Sequence, residues 1–199
     1  CLIAVFVLSL FSFPQREVKA AIADIFFSEY IEGSSNNKAL EIYNGTGATV
    51  NLKDYKVILY SNGATTPTNT LTWSTDTFLI NGDVYVIANS GAVSAITSIA
   101  DVTSSVTFYN GDDAIAIQRA SDSSFVDVIG QIRSDPGSRW GTEPITTVEH
   151  TLVRKEAVCT GDSISDDAFD PATEWDSYAQ DTFSYLGSHT ASCGDTTAP

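Results

Sequence analysis

The stretch SEYIEGSSNNKALEIYNGT, residues 28–46, places two runs of strand-forming residues around a turn. The runs are rich in β-branched and aromatic residues. The intervening EGSSNN supplies glycine and asparagine, which tolerate positive φ, and small polar serines. This pattern predicts a hairpin or a longer strand-to-strand loop, with Glu29 and Glu41 in the strands and Glu32 at the mouth of the loop. We expect Glu29 and Glu41 to form a structural pair.

Short runs of the same kind recur along the chain between turn signals such as NGTG, SNG, NGD and DPGS. The predicted strands cover residues 21–31, 38–45, 55–61, 84–90, 106–110, 114–119, 125–132 and 150–155. The single helical candidate is the stretch at 91–100. Eight short strands in a chain of 199 residues predict one all-β domain, a sandwich or a barrel.

Alternation places carboxylates in the apolar rows of two predicted strands, because successive side chains of a strand point to opposite faces. The predicted rows are Ile25, Phe27, Glu29 and Ile31 in the first strand, and Phe125, Asp127 and Ile129 in a later one. A carboxylate on a core face needs hydrogen bonds or a cation. We therefore expect Glu29 to form hydrogen bonds within the fold instead of facing a cleft.

The first 20 residues have the pattern of an export signal. Residues 1–13 are uncharged and mostly apolar, and Val18 and Ala20 are small residues at the spacing that a signal peptidase recognises. We predict part of a secretory signal peptide at 1–20, one domain at 21–193 and the start of a linker at 194–199. A lipoprotein role for Cys1 is an alternative. The mature protein is expected to be secreted or held at the cell surface, without a membrane span.

The chain is strongly acidic. Its formal net charge is −15, and cleavage after Ala20 would remove two basic residues and one acidic residue, which gives −16. Such a surface repels phosphates, and the largest basic cluster is the VRK at 153–155. Direct nucleic-acid binding is therefore disfavoured. The expected partner is a protein, a surface polymer or a neighbouring domain of a larger exported protein.

Two cysteines, Cys159 and Cys193, remain after the predicted cleavage. In an exported protein they predict a disulfide that closes the C-terminal tail, with two free thiols as the alternative.

Nucleophilic catalysis finds little support in the sequence. The chain has no G-x-S-x-G motif, and GSRWG at 137–141 places its serine wrongly. The only histidines, His150 and His189, are more often structural hydrogen-bonding residues than bases. We predict no catalytic residue.

Metal binding rests on acidic loops. Zinc is disfavoured because the histidines and cysteines lack a ligand spacing, whereas calcium prefers oxygen ligands in loops. The candidate calcium ligands are Asp112, Asp113, Asp162, Asp166, Asp167 and Asp170. Apart from calcium no cofactor is predicted. Aspartates that follow Asn-Gly, as in NGDD, also bond neighbouring backbone N–H groups, and a solvated loop is the alternative for residues 161–176.

Six motifs in order carry a resemblance to a known family. They are FSEYIEGSSNNKALEIYNGT (27–46), VYVIAN (84–89), YNGDDAIAI (109–117), VIGQIRSDPGSRWG (128–141), HTLVRK (150–155) and FDPATEWDSYAQDTFSYLGSH (169–189). Together they resemble the lamin-tail-like domain of secreted bacterial proteins. The resemblance implies an immunoglobulin-like β-sandwich, here with a short helical connection and a disulfide-tied tail. Structural roles are expected for Glu29, Asn37, Glu41, Asn44, Gly111, Asp127, Trp140, His150, Arg154 and Trp175.

The resemblance also implies a function. Such domains commonly occur beside endonuclease or exonuclease–phosphatase domains in extracellular nucleases, and their own role is generally binding or positioning, with no established catalytic residues. We therefore expect a non-catalytic module that binds, scaffolds or positions. The alternative is an accessory part of an extracellular metal-dependent nuclease or other hydrolase.

Overall fold

The computed structural model describes residues 21–193. The predicted signal peptide at 1–20, which includes Cys1, and the predicted linker start at 194–199 lie outside the described residues and remain predictions. Within 21–193, no helix has the length and apolar content needed to cross a membrane.

Strands dominate the described residues, with two one-turn α-helices and two short 3-10 turns between them. The strands are β1 Phe26–Glu32, β2 Lys38–Tyr43, β3 Val50–Asn51, β4 Tyr55–Tyr60, β5 Asn69–Thr72, β6 Phe78–Leu79, β7 Val84–Ala88, β8 Val102–Thr103, β9 Ala114–Arg119, β10 Phe125–Ile129, β11 Gly141–Thr142, β12 Ile145–Thr146, β13 His150–Arg154 and β14 Trp175–Ala179. The helices are α1 Ser94–Thr97 and α2 Pro171–Glu174, and the 3-10 turns are Leu52–Asp54 and Ser105–Thr107.

Two main sheets form the layers of the fold. The first has the order β14-β13-β1-β2-β7-β8 and the second has the order β10-β9-β4-β5, with two-stranded additions β11-β12 and β3-β6. All pairs are antiparallel except β7 with β8. The architecture is an immunoglobulin-like β-sandwich, which confirms the predicted fold class, and β1 with β2 forms the predicted hairpin.

The main core lies between the two sheets. Aliphatic and aromatic side chains from both inner faces meet there, among them Phe27, Leu40, Val57, Ile117 and Leu152. Burying each such side chain contributes about 1.5–3 kcal/mol relative to leaving it in water. Because this core holds the strands in place, it also determines where the loops between the strands lie.

A β-bulge at Ser28 changes which side chains of β1 face the core. The pairing of β1 with β2 shifts between Phe27 and Glu29. Phe27 and Tyr30 consequently lie in the main core, whereas Ile31 packs in a second cluster on the outer face of the six-stranded sheet. The predicted row is therefore wrong from Glu29 onward, because one extra residue moves every later side chain to the opposite face.

A second bulge has the same effect in β10. The pairing of β10 with β9 shifts between Phe125 and Asp127. Phe125 packs with Val128 on the outer face of the four-stranded sheet, whereas Ile129 lies in the main core. The predicted row is therefore wrong for Phe125, while Asp127 does share the side of Ile129.

Other sequence predictions differ from the structure in instructive ways. The predicted strand at 106–110 is wrong, because residues Ser105–Thr107 form a 3-10 turn. Val106 and Tyr109, three residues apart, both enter the main core from there. The predicted helix is real but shorter, at Ser94–Thr97. The polar strand β5 and the C-terminal strand β14 were not predicted.

Residues 181–193, which we call the C-terminal strap, cross the outer face of the six-stranded sheet. Phe183 and Leu186 of the strap pack in the outer cluster that contains Ile31. A disulfide between Cys193 and Cys159 closes the end of the strap. The predicted disulfide is therefore confirmed. The chain before the strap is also part of the fold, because it contributes strand β14 to the six-stranded sheet.

Candidate functional site

A cavity opens at one end of the sandwich, and we call it the loop-end cleft. Its volume is about 690 Å³. It lies where the β1–β2 loop meets the segments that follow β7 and that precede β9 and β13. Its lining residues are Glu32, Gly33, Ser35, Asn36, Lys38, Asn89, Ser90, Gly91, Phe108, Tyr109, Asn110, Gly111, Asp112, Ser138, Val148, Glu149 and Gln180. Most of the lining is polar.

A buried ion pair lies at the base of the loop-end cleft. Lys38 Nζ contacts Glu32 Oε1, and these residues are also cross-strand partners in the β1–β2 hairpin. The second oxygen of Glu32 accepts a hydrogen bond of 2.5 Å from the backbone N–H of Glu149. Lys38 Nζ lies 5.6 Å from the centroid of the Tyr109 ring. The positive charge of Lys38 is therefore already used within the fold.

Tyr109 anchors one wall of the cleft to the hairpin. Its hydroxyl lies 2.7 Å from the carbonyl oxygen of Ile31 and 2.8 Å from that of Ala39. Its ring stacks on Tyr30 with centroids 4.8 Å apart. Burial raises the pKa of the Tyr109 phenol well above its ordinary value, so the hydroxyl stays neutral. Phe108 and Asp112 belong to the same chain segment and also line the cleft.

The rim has two distinctive side chains. Phe108 lines the cleft and is 57% exposed. Asp112 is half-buried, and its Oδ1 is shielded from solvent without a hydrogen-bond partner among the described residues. Gly111 packs closely against Val148, since a Cβ on Gly111 would stand 2.6 Å from the Cβ of Val148. The structural role expected for Gly111 is this close approach.

Asp113, the neighbour of Asp112, is engaged inside the fold. Its Oδ1 accepts from the backbone N–H of Asn62 and its Oδ2 from that of Asn110, each at 2.8 Å. These are the backbone bonds expected of an aspartate after Asn-Gly. Burial, opposed by these bonds, raises the pKa of Asp113. The indole Nε1 of Trp140 donates to the Asp113 carbonyl at 3.2 Å, so Trp140 also has a structural role.

The remaining calcium candidates lie elsewhere. Asp162, Asp167 and Asp170 line a separate depression of about 350 Å³, which Asp166 does not line. Asp170 is occupied as the N-cap of α2, where its Oδ1 accepts from Ala172 N at 3.0 Å. Within residues 21–193 no group of three or more His, Cys, Asp or Glu side chains is arranged to hold a metal ion. Calcium binding stays a prediction.

Asp127 joins the two sheets through Arg154. Its Oδ2 accepts from Arg154 Nη1 and from the backbone N–H of Phe27, both at 2.7 Å, and its Oδ1 accepts from Asp162 N at 2.8 Å. Arg154 also donates to Glu174 at 2.5 Å. Burial raises the pKa of Asp127, and the Arg154 charge opposes that rise. Both residues are fully buried, so their role is structural.

Trp175 supports the same ion pair from β14. Its ring lies 4.8 Å from the Arg154 guanidinium carbon, and Trp175 is buried in the main core. The structural role expected for Trp175 stays a prediction, and these contacts support it.

Glu29 and Glu41 lie under the C-terminal strap. They are cross-strand partners, each 1% exposed, which confirms their predicted pairing. Glu41 accepts from Ser28 Oγ and from the backbone N–H of Gly187, both at 2.6 Å. Neither carboxyl oxygen of Glu29 has a hydrogen-bond partner among the described residues, so its predicted hydrogen bonding is wrong. Burial, and then the charge of Glu41, raises the pKa of Glu29 to about 9.

Two asparagines tie the loops to their neighbours. Asn37 accepts from the backbone N–H of Val93 at 3.0 Å and donates to the strap residue Asp181 at 3.1 Å. Asn44 is fully buried and donates to the carbonyl oxygen of Leu79 at 2.8 Å. Both asparagines therefore join segments that are distant in sequence, and the structural roles expected of them stay predictions.

The two histidines also serve the fold. His150 Nδ1 is bonded to the carbonyl oxygen of Val148 at 2.7 Å. The His189 ring packs edge-on against Phe26 and Tyr43, with centroids 6.0 and 4.9 Å away. Burial lowers the pKa of His189 to about 4, so it is neutral at physiological pH. Neither histidine lines the loop-end cleft.

Sequence reasoning did not find the loop-end cleft or single out Phe108, Asn36 and the Glu32–Lys38 pair. The usable signal was that three turn motifs, GSSNN, NSG and NGDD, fall where predicted strands end or begin on the same side of the fold.

Comparisons with known proteins give one match. A model of the family described as Lamin Tail Domain matches residues 19–133, more than half of the chain. No curated protein and no solved structure matches the chain. The matched range ends before β13 and β14, although both strands belong to the six-stranded sheet.

Proposed function

The chain belongs to the lamin tail domain family, and from this we propose that residues 21–193 are a non-catalytic module that binds a partner or positions a neighbouring domain. The observation that carries the proposal is the loop-end cleft. This cleft has a volume of about 690 Å³ and a mostly polar lining, and it lies on a rigid β-sandwich. Loops held by a rigid scaffold are where β-sandwich domains commonly place their binding residues.

The two cysteines, the two histidines and Asp113 support a non-catalytic role because they are already engaged in the fold. Cys159 and Cys193 are bonded to each other. His150 is tied to a backbone carbonyl, and His189 is held neutral between aromatic rings. Asp113 is bonded to two backbone N–H groups. None of these groups is placed in the loop-end cleft.

The proposed setting is outside the cell. A disulfide in a domain of this size is typical of oxidising compartments, and residues 1–20 have the pattern of a secretory signal. The proposed partner is a protein, a surface polymer or an adjacent domain of a larger exported protein. Calcium is a proposed ligand of the acidic loop at 161–176, where it would stiffen the connection between β13 and β14.

A binding screen combined with a cleavage assay tests the proposal. The secreted protein is offered peptides, glycans and DNA with and without calcium, and DNA cleavage is followed with magnesium, manganese or calcium. We expect saturable binding of one class that Phe108→Ala weakens, and no cleavage. Metal-dependent DNA cleavage that is lost in Asp112→Asn or Asp166→Asn, with folding retained, would favour the accessory nuclease alternative instead.

A further inference from the structure

We propose that residues 183–188 in the middle of the C-terminal strap, which we call the flap, open as the pH rises, and that ionisation of Glu29 beneath them drives the opening. This inference goes beyond the proposed binding role, because it assigns a conformational change to the outer face of the six-stranded sheet.

Two carboxyl groups lie side by side under the flap. Glu29 and Glu41 are directly opposite each other in the β1–β2 pairing, and each is 1% exposed. The Cβ atoms of directly opposite residues are about 4.5–5.5 Å apart. Two negative charges at this spacing repel each other, and the repulsion is stronger in a buried setting than in water. The fold can therefore hold one charge under the flap more easily than two.

The hydrogen-bond donors at this pair serve Glu41. Ser28 Oγ and the backbone N–H of Gly187, a flap residue, both donate to its carboxylate at 2.6 Å. Neither carboxyl oxygen of Glu29 has a hydrogen-bond partner among the described residues. Burial raises the pKa of Glu41, but these bonds oppose the rise, whereas burial and the charge of Glu41 together raise the pKa of Glu29 to about 9. Glu29 is therefore the carboxyl that stays protonated while the flap is closed.

The surroundings of Glu29 supply no unpaired cation among the described residues. The titratable groups on the elements packed around it are Glu41 on β2, Arg154 on β13, Asp176 and Tyr178 on β14, and Asp181, Tyr185 and His189 on the strap. The Arg154 guanidinium is already paired with Asp127 and Glu174. Ionisation of Glu29 would consequently place a second negative charge beside Glu41 without compensation.

The flap is held more weakly than the two ends of the strap. At one end the Asp181 carboxylate accepts from the backbone N–H and the hydroxyl of Ser34, at 2.9 and 2.7 Å, and at the other end the disulfide holds the chain. Within the flap only Leu186 is buried. Opening therefore uncovers little apolar surface, and both ends of the strap remain attached.

The direction of the pH effect follows from the two states of Glu29. Its pKa is about 9 under the closed flap, and in water it would return to its ordinary value of 4.5. Between these values closing the flap takes up a proton, so the opening equilibrium rises by up to about tenfold per pH unit. Below about pH 4.5 the proton-dependent stabilisation of the closed flap is complete, and above about pH 9 it is lost.

Amide hydrogen exchange of the full chain, followed by NMR between about pH 5.5 and 8.5, tests the proposal. Each exchange rate is divided by the intrinsic rate at the same pH to give a protection factor. We expect the protection factor of the Gly187 N–H to fall by up to about tenfold per pH unit. It should also be lower at every pH than that of Ile117, in the central strand β9, because the flap opens without global unfolding.

Three variants assign the effect. Glu29→Gln keeps the shape of the protonated side chain but cannot ionise, so the protection factor of Gly187 should become independent of pH. The control Glu156→Gln removes an exposed carboxylate that borders the same part of the strap and should leave the pH dependence unchanged. Leu186→Ala should lower the protection factor at every pH without changing its slope, so the test remains available even if Glu29→Gln does not fold.

Three results would overturn the inference. A protection factor of Gly187 that does not change with pH in the parent protein would exclude coupling to a proton. The same pH dependence in Glu29→Gln would assign the proton to another group. Equal protection factors for Gly187 and Ile117 would show that exchange requires global unfolding, and therefore that the flap does not open by itself.

Discussion

Asp127 and Glu29 are both buried carboxylates on strands with a bulge, yet the fold treats them in opposite ways. Asp127 lies between the sheets and receives Arg154 and two backbone N–H groups. Glu29 lies on the outer face under the C-terminal strap, beside the carboxyl of Glu41, with no donor among the described residues. Two carboxyl groups at similar positions in the strand pattern therefore have different surroundings: one is paired with a cation, and the other lies beside a second carboxyl group.

The difference shows that burial alone does not decide the state of a carboxyl group. Burial raises the pKa of both groups. For Asp127 the guanidinium opposes the rise, and a paired charge can persist between the sheets. For Glu29 the nearest charge is another carboxylate, so the pKa of about 9 leaves it protonated at neutral pH. One region depends on an ion pair, and the other depends on a proton.

Removing the positive charge of Arg154 should have the largest effect on the stability of the protein. Arg154→Met would leave Asp127 buried without a counter-charge, and we expect a loss of about 3–5 kcal/mol in the free energy of unfolding at pH 7. Urea denaturation measures it. The control is Arg139→Met, which breaks an exposed ion pair with Glu143 and should cost less than about 1 kcal/mol. Equal losses in the two variants would show that the Asp127 pair is not special.

Opening the disulfide should affect the other region. Replacing Cys159 and Cys193 together by serine frees a loop with a sequence separation of 34, and the expected loss is about 3–4 kcal/mol in the chain-entropy model. Because the end of the strap is then untied, water should reach Glu29 more often and its pKa should fall. Carboxyl NMR titration of Glu29 and Asp127 checks this. If the pKa fell for both Glu29 and Asp127, or for neither, the idea that the strap shields Glu29 alone would be contradicted.

The proton on Glu29 should appear in the pH dependence of stability. Its pKa in the folded protein, about 9, lies above its ordinary value of 4.5, so the native state binds the extra proton between these values. The stability that Glu29 contributes should therefore be complete below about pH 4.5 and fall as pH rises toward 9, by at most about 1.4 kcal/mol per pH unit. Glu29→Gln removes this contribution.

Unfolding free energies of the parent and Glu29→Gln, measured from pH 5 to 9, isolate the effect of Glu29 from that of other carboxyls. The advantage of the parent over the variant should shrink steadily with rising pH. The exposed Glu156→Gln serves as a control and should show a constant difference. A constant difference for Glu29→Gln as well would mean that Glu29 is already ionised in the folded protein.

The sequence predicted the parts of the fold that depend on local pattern. The hairpin around GSSNN, the all-β class, the disulfide and the pairing of Glu29 with Glu41 follow from turn residues, alternation and cysteine count. The two bulges could not be predicted, because an extra residue in a strand leaves no mark in the composition. Alternation therefore gave the wrong environment for Glu29 and for Phe125.

The candidate site was less predictable than the fold. The loop-end cleft is assembled from segments far apart in the chain, such as Asn36, Phe108 and Glu149, and only the topology brings them together. The calcium candidates show the reverse, since Asp112 and Asp162 are alike in sequence context but line different cavities. Residue type and spacing indicated which functional groups were available, but not which of them would lie in the same cavity.

The position of β1 inside the six-stranded sheet determines how the chain can be shortened. One neighbour of β1, strand β2, follows immediately, but the other, β13, arrives more than a hundred residues later, with Glu29 opposite Val153. A fragment trimmed to the matched range 19–133 would lack β13 and expose the backbone N–H and C=O groups along one side of β1. Open strand edges with apolar side chains recruit other chains. Such a fragment should aggregate, whereas one that ends after Cys193 retains the complete sheet.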